Sequence, residues 1–175
     1  KDLVKFKTFV HRTFNGTDCV FFLKSLQHIY KKHGGLENAF SNHLDTSDKN
    51  IKNAIVGFRK LFLSTKHESR SEKHISNPDA KSSAKRLSMY LRWMVRNDKS
   101  GVDFGIWKNI KPSQLCLPLD VHTGNVSRKL GLLTRTQNDW QAVEEITGVL
   151  SSFDKKDPVK YDFALFGLGA FEGFK

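Results

Sequence analysis

The chain has 175 residues and a formal net charge of +11, and 38% of its residues are hydrophobic, including 14 Phe and 3 Trp. This composition supports a hydrophobic core in one ordinary domain or in two small helical lobes, and it excludes a wholly disordered chain. The two cysteines, Cys19 and Cys116, lie far apart and no apolar run is long enough to cross a bilayer, so we expect no disulfide framework, no membrane association and a cytoplasmic location.

Helical periodicity dominates the first half of the chain. Apolar residues recur at helical spacing from Thr17, a candidate cap, to about Lys32. A short helix is predicted over Leu36–His43, and Ser47 is the predicted cap of a longer helix that ends at about Ser64. The polar segment 65–82 contains a proline and predicts a long loop or a hairpin region.

The second half also has helical periodicity, interrupted by one loose segment. A helix is predicted from about Ser83 to Arg96, and the stretch 97–119 is rich in glycine and proline. Asp120 stands at the start of a helix that ends at Gly131, and further helices are predicted over 138–153 and from Pro158 to about Leu168. No segment has a convincing period of two, so the sequence predicts an all-α fold.

Positive charge is concentrated in the middle of the chain. Residues 49–111 hold 15 Lys and Arg against five Asp and Glu, and the remainder of the chain is nearly neutral. Such an excess attracts polyanions, of which nucleic acid is the commonest and an anionic membrane surface the competitor. We therefore expect double-stranded DNA as the partner.

Metal and cofactor sites have no recognisable pattern in the sequence. The seven histidines are scattered, with no pair at metal-ligand spacing, and there is no Cys-x-x-Cys pair. The glycines near the end of the chain do not follow a strand, which excludes a dinucleotide-binding loop. We expect no metal and no cofactor, and we expect a monomer.

The helix predicted over 83–96 has a cationic and an apolar side. At 100° per residue, three cations fall on one line of it: Lys85, Arg92 and Arg96. Three apolar residues fall on the opposite side: Leu87, Leu91 and Met94. The cationic side is interpreted either as an ordinary solvated surface or as a surface that contacts DNA.

Three segments resemble motifs of one enzyme superfamily. In the segment 117–131, an apolar pair leads into Asp-x-His at a helix start, with Asp120 and His122 as the polar residues. The segment 84–91 begins a helix with Lys85, and Lys81 is a second candidate lysine. The segment 161–169 has the pattern polar-x-Ala-Leu-x-x-Leu-Gly.

In this order the three segments, within residues 83–169, resemble the helix-hairpin-helix (HhH-GPD) DNA glycosylase superfamily, and most closely its archaeal-type 8-oxoguanine DNA glycosylase/lyase branch. The whole chain is also similar to a bacterial family of conserved proteins of unknown function related to these glycosylases. The resemblance implies a two-lobed helical fold with a basic cleft. Residues 1–110 would form a helical barrel lobe with a hairpin-like element at about 76–96, and residues 111–175 a smaller lobe. Because the chain starts at Lys1, we expect a missing N-terminal segment to complete that lobe.

The resemblance also implies an activity, namely a DNA repair glycosylase that excises a damaged purine such as 8-oxoguanine, with or without AP lyase activity. Asp120 matches the essential carboxylate, which would stabilise positive charge on the sugar. Lys85 matches the lysine nucleophile of the lyase branches, and a phosphate-binding lysine is the equal alternative. The competing hypothesis is a non-catalytic DNA- or RNA-binding module that retains the scaffold.

Two features depart from the superfamily. Its Leu-Pro-Gly-x-Gly hairpin is replaced by the segment 76–83, and the iron–sulfur cysteines of the endonuclease branch are absent. Because helix N-termini and cations bind phosphate, six residues are candidate DNA contacts: Lys81, Ser82, Ser83, Arg86, Arg92 and Arg96. Phe104 and Trp107 are candidates to stack on a flipped base, or else core residues.

Overall fold

The computed structural model describes residues 2–45, 47–98 and 101–174, and Lys99, one of the cations counted above, lies outside them. The described chain is mostly helical with a single two-stranded hairpin, which confirms the all-α prediction. Its helices are α1 (Gly16–Lys32), α2 (Leu36–Ser41), α3 (Lys52–Leu63), α4 (Lys85–Val95), α5 (Val121–Lys129), α6 (Trp140–Phe153) and α7 (Asp162–Ala170). Short 3-10 turns occur at Asp2–Phe6, Ser69–His74, Pro78–Ala80, Pro112–Gln114 and Pro158–Tyr161.

Three helix starts differ from the prediction, and the last of them is that of α7, which begins at Asp162 after a 3-10 turn at the predicted start Pro158. The cap of α1 is Asn15 and not Thr17, because the Asn15 side chain accepts hydrogen bonds from the Thr17 and Asp18 N–H groups while Asp18 binds the Asn15 N–H in return. Helix α3 begins at Lys52, well after Ser47, and it has no side-chain cap. A capping residue marks a possible start, and the packing of the first apolar turn decides whether the helix begins there.

A β-hairpin near the N-terminus was not predicted. Strand β1 (Val10–His11) pairs antiparallel with β2 (Phe14–Asn15), with Val10 opposite Asn15 and His11 opposite Phe14. Each strand has two residues, which is too short to give a readable period of two. Arg12 in the connecting turn has a φ of 55°, in the left-handed region that non-glycine residues seldom adopt.

The core is continuous across the boundary predicted at residue 110. Buried side chains from α1 through α7 form one cluster, and the two-lobe division stays a prediction. The segment that leads to Asp120 crosses this core, since its apolar side chains are at most 1% exposed: Leu115, Cys116, Leu117 and Leu119. The backbone of residues 115–119, which leads to Asp120, is therefore fixed by the packing of its side chains in the core.

Helices α5 and α7 pack closely against each other. A Cβ atom at Gly169 of α7 would lie 2.9 Å from Val126 Cγ2 and 3.2 Å from the backbone oxygen of His122. Only glycine permits this approach, which places the last turn of α7 against the first turns of α5. None of the described helices combines the length and the apolar character that crossing a membrane requires.

Candidate functional site

Asp120 is the N-cap of α5, as predicted. Its Oδ1 accepts a hydrogen bond of 2.9 Å from the Thr123 N–H, and its backbone is extended with a φ of −120°. Its backbone oxygen also accepts a hydrogen bond of 3.2 Å from the Asn138 side chain. These contacts fix the carboxylate and leave Oδ2 directed away from the helix cap.

Lys85 supplies the second polar group of the site. It is the first residue of α4, and its Nζ donates a hydrogen bond of 2.8 Å to Asp120 Oδ2. The structure thus brings together two side chains that lie 35 residues apart. Side-chain exposure is 43% for Lys85 and 13% for Asp120, so the amine reaches solvent while the carboxylate is largely enclosed.

The ion pair faces a pocket of about 250 Å³. The pocket is lined mainly by apolar side chains from α4, α5 and α7 and from the segments 101–102 and 117–119. Its lining residues are Lys85, Met89, Trp93, Val102, Pro118, Asp120, Thr123, Asp162, Phe163 and Phe166. An apolar cavity with a few convergent polar groups is the usual form of a small-ligand site.

A second carboxylate, that of Asp162, also lines this pocket. Its side chain is 5% exposed and its Oδ2 accepts a hydrogen bond from Arg92 Nη1. Burial raises the pKa of Asp162 to about 6, although the Arg92 guanidinium opposes the rise, and the nearby Asp120 carboxylate adds to it. Asp162 therefore changes its charge close to neutral pH.

The pKa of Asp120 is shifted in the opposite direction from that of Asp162. Burial alone raises the pKa of Asp120, but the hydrogen bonds from Lys85 Nζ and from the Thr123 N–H outweigh burial and lower that pKa below its usual value. The pocket thus holds two carboxylates in different states near neutral pH. Asp120 is fully ionised, whereas Asp162 exchanges a proton. Carboxylates separated in this way are typical of acid–base sites.

One predicted DNA contact, Arg92, is wrong, and a second, Arg96, is bound to carboxylates. Arg92 is fully buried, and its Nε and Nη2 each lie 3.2 Å from Asp103 Oδ2 while its Nη1 binds Asp162. Arg96 is 14% exposed at its side chain and binds Asp103 and Asp157 at 2.7 and 2.8 Å. The Arg92 guanidinium is therefore not accessible to a phosphate, whereas contact of Arg96 with DNA stays a prediction. The helical wheel placed them on one side of α4 correctly, but that side faces carboxylates from distant segments.

The predicted base-stacking residues do not line the pocket. Trp107 is 8% exposed and lies 5.5 Å from the Tyr90 ring and 5.8 Å from the Phe40 ring, so it is a core residue. Phe104 is 58% exposed outside the pocket. The aromatic side chains that do line it are Trp93, Phe163 and Phe166. The available signal was helical spacing, because Trp93 lies two turns after Lys85 on α4 and Phe166 lies one turn after Asp162 on α7.

The hairpin-like segment before α4 packs against the start of α6. Ser82 Oγ accepts a hydrogen bond of 3.2 Å from the Ala84 N–H, and the Lys81 backbone oxygen accepts one of 3.1 Å from the Trp140 N–H. Lys81 and Ala84 both have left-handed φ values, 66° and 49°. The side chain of Lys81 is exposed and Ser83 is half-buried. Contacts of Lys81, Ser82, Ser83 and Arg86 with DNA stay predictions.

Comparison with known proteins gives a family. The model described as "Protein of unknown function (DUF2400)" matches residues 1–171. The chain belongs to the DUF2400 family. Neither the curated proteins nor the solved structures contain a match to this DUF2400 chain. Within the described ranges, no group of three or more His, Cys, Asp or Glu side chains is arranged to hold a metal.

Proposed function

We propose that this DUF2400 protein is a DNA glycosylase with AP lyase activity that excises a damaged purine such as 8-oxoguanine. The observation that carries the proposal is the hydrogen bond between Lys85 Nζ and Asp120 Oδ2 in a pocket walled by aromatic and aliphatic side chains. A surface lysine that binds phosphate has no need of such a pocket. An amine that attacks a sugar carbon requires both the pocket and a proton acceptor.

The proposed reaction uses the two groups in sequence. Lys85 Nζ passes a proton to Asp120 Oδ2, and its lone pair then forms a bond to C1′ of the flipped nucleotide. The bond between C1′ and the base breaks, its electrons leave with the base, and the base takes the proton from Asp120. The negative charge that Asp120 regains in this transfer offsets the positive charge that develops on the sugar before the new bond is complete. The bond between C1′ and O4′ then breaks, O4′ takes up the proton that the Lys85 nitrogen releases, and the resulting C1′–N double bond is the Schiff base that permits strand cleavage.

The pocket provides for an extruded base. Its volume of about 250 Å³ lies below the range of about 300–1,000 Å³ that is usual for drug-sized ligands, which suits a single nucleobase. Trp93 and Phe163 offer faces for stacking, and the Phe163 ring is itself held over the Arg92 guanidinium at 4.1 Å. Asp162 Oδ1 is the proposed acceptor for N–H groups on the edge of the base. In this scheme the ionised form of Asp162 binds the purine.

The helix order agrees with the proposal at the level of the scaffold. We infer a helix-hairpin-helix glycosylase architecture, in which the turn at Pro78–Ala80 and helix α4 take the place of the hairpin motif and α7 packs behind Asp120. Two residues with left-handed backbone, Lys81 and Ala84, flank the connection. This architecture places Lys85 at the first turn after the hairpin.

The test is excision from DNA duplexes that each carry one lesion, with 8-oxoguanine in the panel, in the presence and absence of borohydride. The wild type should release the base and give a covalent adduct when the Schiff base is reduced. Lys85→Gln should give no adduct. Lys60→Gln, which removes the same charge from an exposed position on α3, should behave as the wild type.

Two outcomes contradict the proposal. The first is a wild-type protein that releases no base from any lesion. The second is salt-sensitive DNA or RNA binding without turnover and with the same affinity in Asp120→Asn, which favours the non-catalytic binding module instead. An adduct that persists in Lys85→Gln keeps the glycosylase but removes the nucleophile from Lys85.

A further inference from the structure

A second pocket adjoins the start of α4 and has a cationic lining. It holds about 380 Å³, and Arg86, which follows Lys85 in the chain, contributes to it. The remaining lining comes from the N-terminal hairpin, α1 and the 3-10 turn Ser69–His74. The lining residues are His11, Arg12, Thr13, Phe14, Phe22, His74 and Arg86. Two guanidiniums and two imidazoles thus surround the pocket, and no carboxylate is among its lining residues.

The two guanidiniums of this pocket have no partner in the described part of the chain. The sequence has eight arginines. Six of them bind carboxylate, amide or backbone oxygens: Arg59, Arg70, Arg92, Arg96, Arg128 and Arg135. Arg12 and Arg86 are both exposed, and neither donates a hydrogen bond to a described residue. Two free guanidiniums from segments far apart in sequence therefore meet at one pocket.

A carboxylate behind the pocket wall, that of Asp18, does not neutralise the pocket. Asp18 is fully buried behind His74, and it accepts hydrogen bonds of 2.9 Å from Arg70 Nη1 and 2.6 Å from Ser71 Oγ. Its charge is thus matched by that of Arg70. The His74 Nε2 atom lies 3.2 Å from Asp18 Oδ2, but without the geometry of a hydrogen bond. The field inside the pocket is consequently set by Arg12 and Arg86.

The pocket wall is held in place before any ligand arrives. Arg70 Nη2 donates a hydrogen bond of 3.2 Å to the Thr13 backbone oxygen, which ties the hairpin turn to the body of the protein. The Phe14 ring lies edge-on to the rings of Phe22 and His74, with centroids 5.0 Å apart in both pairs. Arg12 keeps its left-handed φ in that turn. Strain of this kind persists where surrounding contacts enforce it, and it is common in binding loops.

We infer that this second pocket binds one phosphodiester group of the DNA strand whose nucleotide enters the Lys85 pocket. Guanidinium groups match the oxygens of phosphate in charge and geometry. Lys85 and Arg86 are consecutive, so their Cα atoms lie about 3.8 Å apart and their side chains diverge by about 100° around α4. When the sugar of one nucleotide lies at Lys85, a neighbouring phosphate of the same DNA strand therefore lies within reach of Arg86. The inference rests on the proposed function in that it takes DNA as the ligand.

The test measures binding of the full chain to an undamaged duplex over a range of salt concentrations. The variant R12Q/R86Q should lower the slope of log affinity against log salt by about 0.9, the value for one phosphate contact. The ratio of the wild-type affinity to that of R12Q/R86Q should therefore fall about 3.5-fold when the salt concentration rises from about 50 to 200 mM. The control K31Q/K32Q removes two exposed charges from the far end of α1 and should keep the wild-type slope.

A scan with single neutral methylphosphonate linkages locates the contact. The wild type should lose affinity at one linkage or at two adjacent ones, and R12Q/R86Q should be insensitive there. An unchanged slope in R12Q/R86Q, or an equal drop in K31Q/K32Q, would overturn the inference. Competition by inorganic phosphate without any sensitive linkage would also overturn it, in favour of a free phosphate ligand. These readouts need no turnover, so a wild type that excises nothing refutes the proposed function separately.

Discussion

Replacing Asp120 by Asn should separate catalysis from folding. Asn is as good an N-cap as Asp, so the hydrogen bond from the Thr123 N–H is retained in kind. The variant loses the ion pair with Lys85, and because that lysine is 43% exposed the pair contributes only about 0.2–1 kcal/mol to stability. The expected loss in the free energy of unfolding is therefore below about 1 kcal/mol.

The expected effect of Asp120→Asn on excision is much larger. The amide neither accepts the proton of Lys85 nor offsets positive charge on the sugar. Loss of a positioned acid–base group typically slows a reaction by about 10²–10⁴-fold. This corresponds to about 3–5 kcal/mol in the activation barrier, at 1.36 kcal/mol for each factor of ten. The activation barrier should thus change by several times more than the stability.

Asp139→Asn provides the matched control. Asp139 is the N-cap of α6, where it accepts a hydrogen bond of 3.1 Å from the Ala142 N–H, and it pairs with Arg135 on the surface. Like Asp120, it is therefore a capping carboxylate with a cationic partner, but it does not line the pocket. Single-turnover excision and thermal unfolding are measured on both variants. If Asp120→Asn excises within about tenfold of the wild type, or if Asp139→Asn is equally slow, the catalytic assignment of Asp120 is wrong.

Two further predictions concern the buried charges behind the site. The folded protein holds the Asp162 proton up to about pH 6, whereas the unfolded chain releases it near 3.8, so the contribution of this group to stability falls as pH rises through that window. The difference in unfolding free energy between wild type and Asp162→Asn should therefore vary by about 1.4 kcal/mol per pH unit there, and a difference independent of pH would contradict the assignment. Arg92→Met leaves Asp162 buried without its cation and Asp103 paired with Arg96 alone, and it should cost about 3–5 kcal/mol in urea unfolding. The change Arg135→Met, at an ion pair near the surface, should cost much less, and equal costs would show that Arg92 is not structurally essential.

The sequence was most informative where chemistry is local. Asp120 as a helix cap follows from its position before a helical period, and the structure has that cap. The contact between Lys85 and Asp120 is expected only from the resemblance to a superfamily, because periodicity does not predict which side chains of different helices lie close together. The stretch between them contains little regular structure, so no spacing rule fixes how far apart the two helix starts lie.

Long-range pairing explains most of the wrong predictions. The wheel of α4 aligned Arg92 with Lys85, and an exposed cationic side was the natural interpretation of that alignment. Whether such a side faces water or carboxylates depends on Asp103 and Asp162, which lie 11 and 70 residues further along the chain. The same limitation applies to Trp107, whose ring packs on residues of α2 and α4, and to its neighbour Phe104. Composition identifies aromatic residues but does not say which of them line a cavity.

Ion pairs within the chain also reduce the number of cations that could contact DNA. At least six of the 15 cations between residues 49 and 111 form ion pairs within the chain: Lys52, Arg59, Arg70, Lys85, Arg92 and Arg96. At most nine (15 − 6) are then left for phosphate contacts, which limits the salt slope from this segment to about 8. Arg12, outside the basic segment, has no partner among the residues that the structure describes, and it lies at the second pocket with Arg86. The density of cations along the sequence is therefore a poor guide to the surface that DNA would contact. A better guide is the set of cations that the fold leaves without a carboxylate partner.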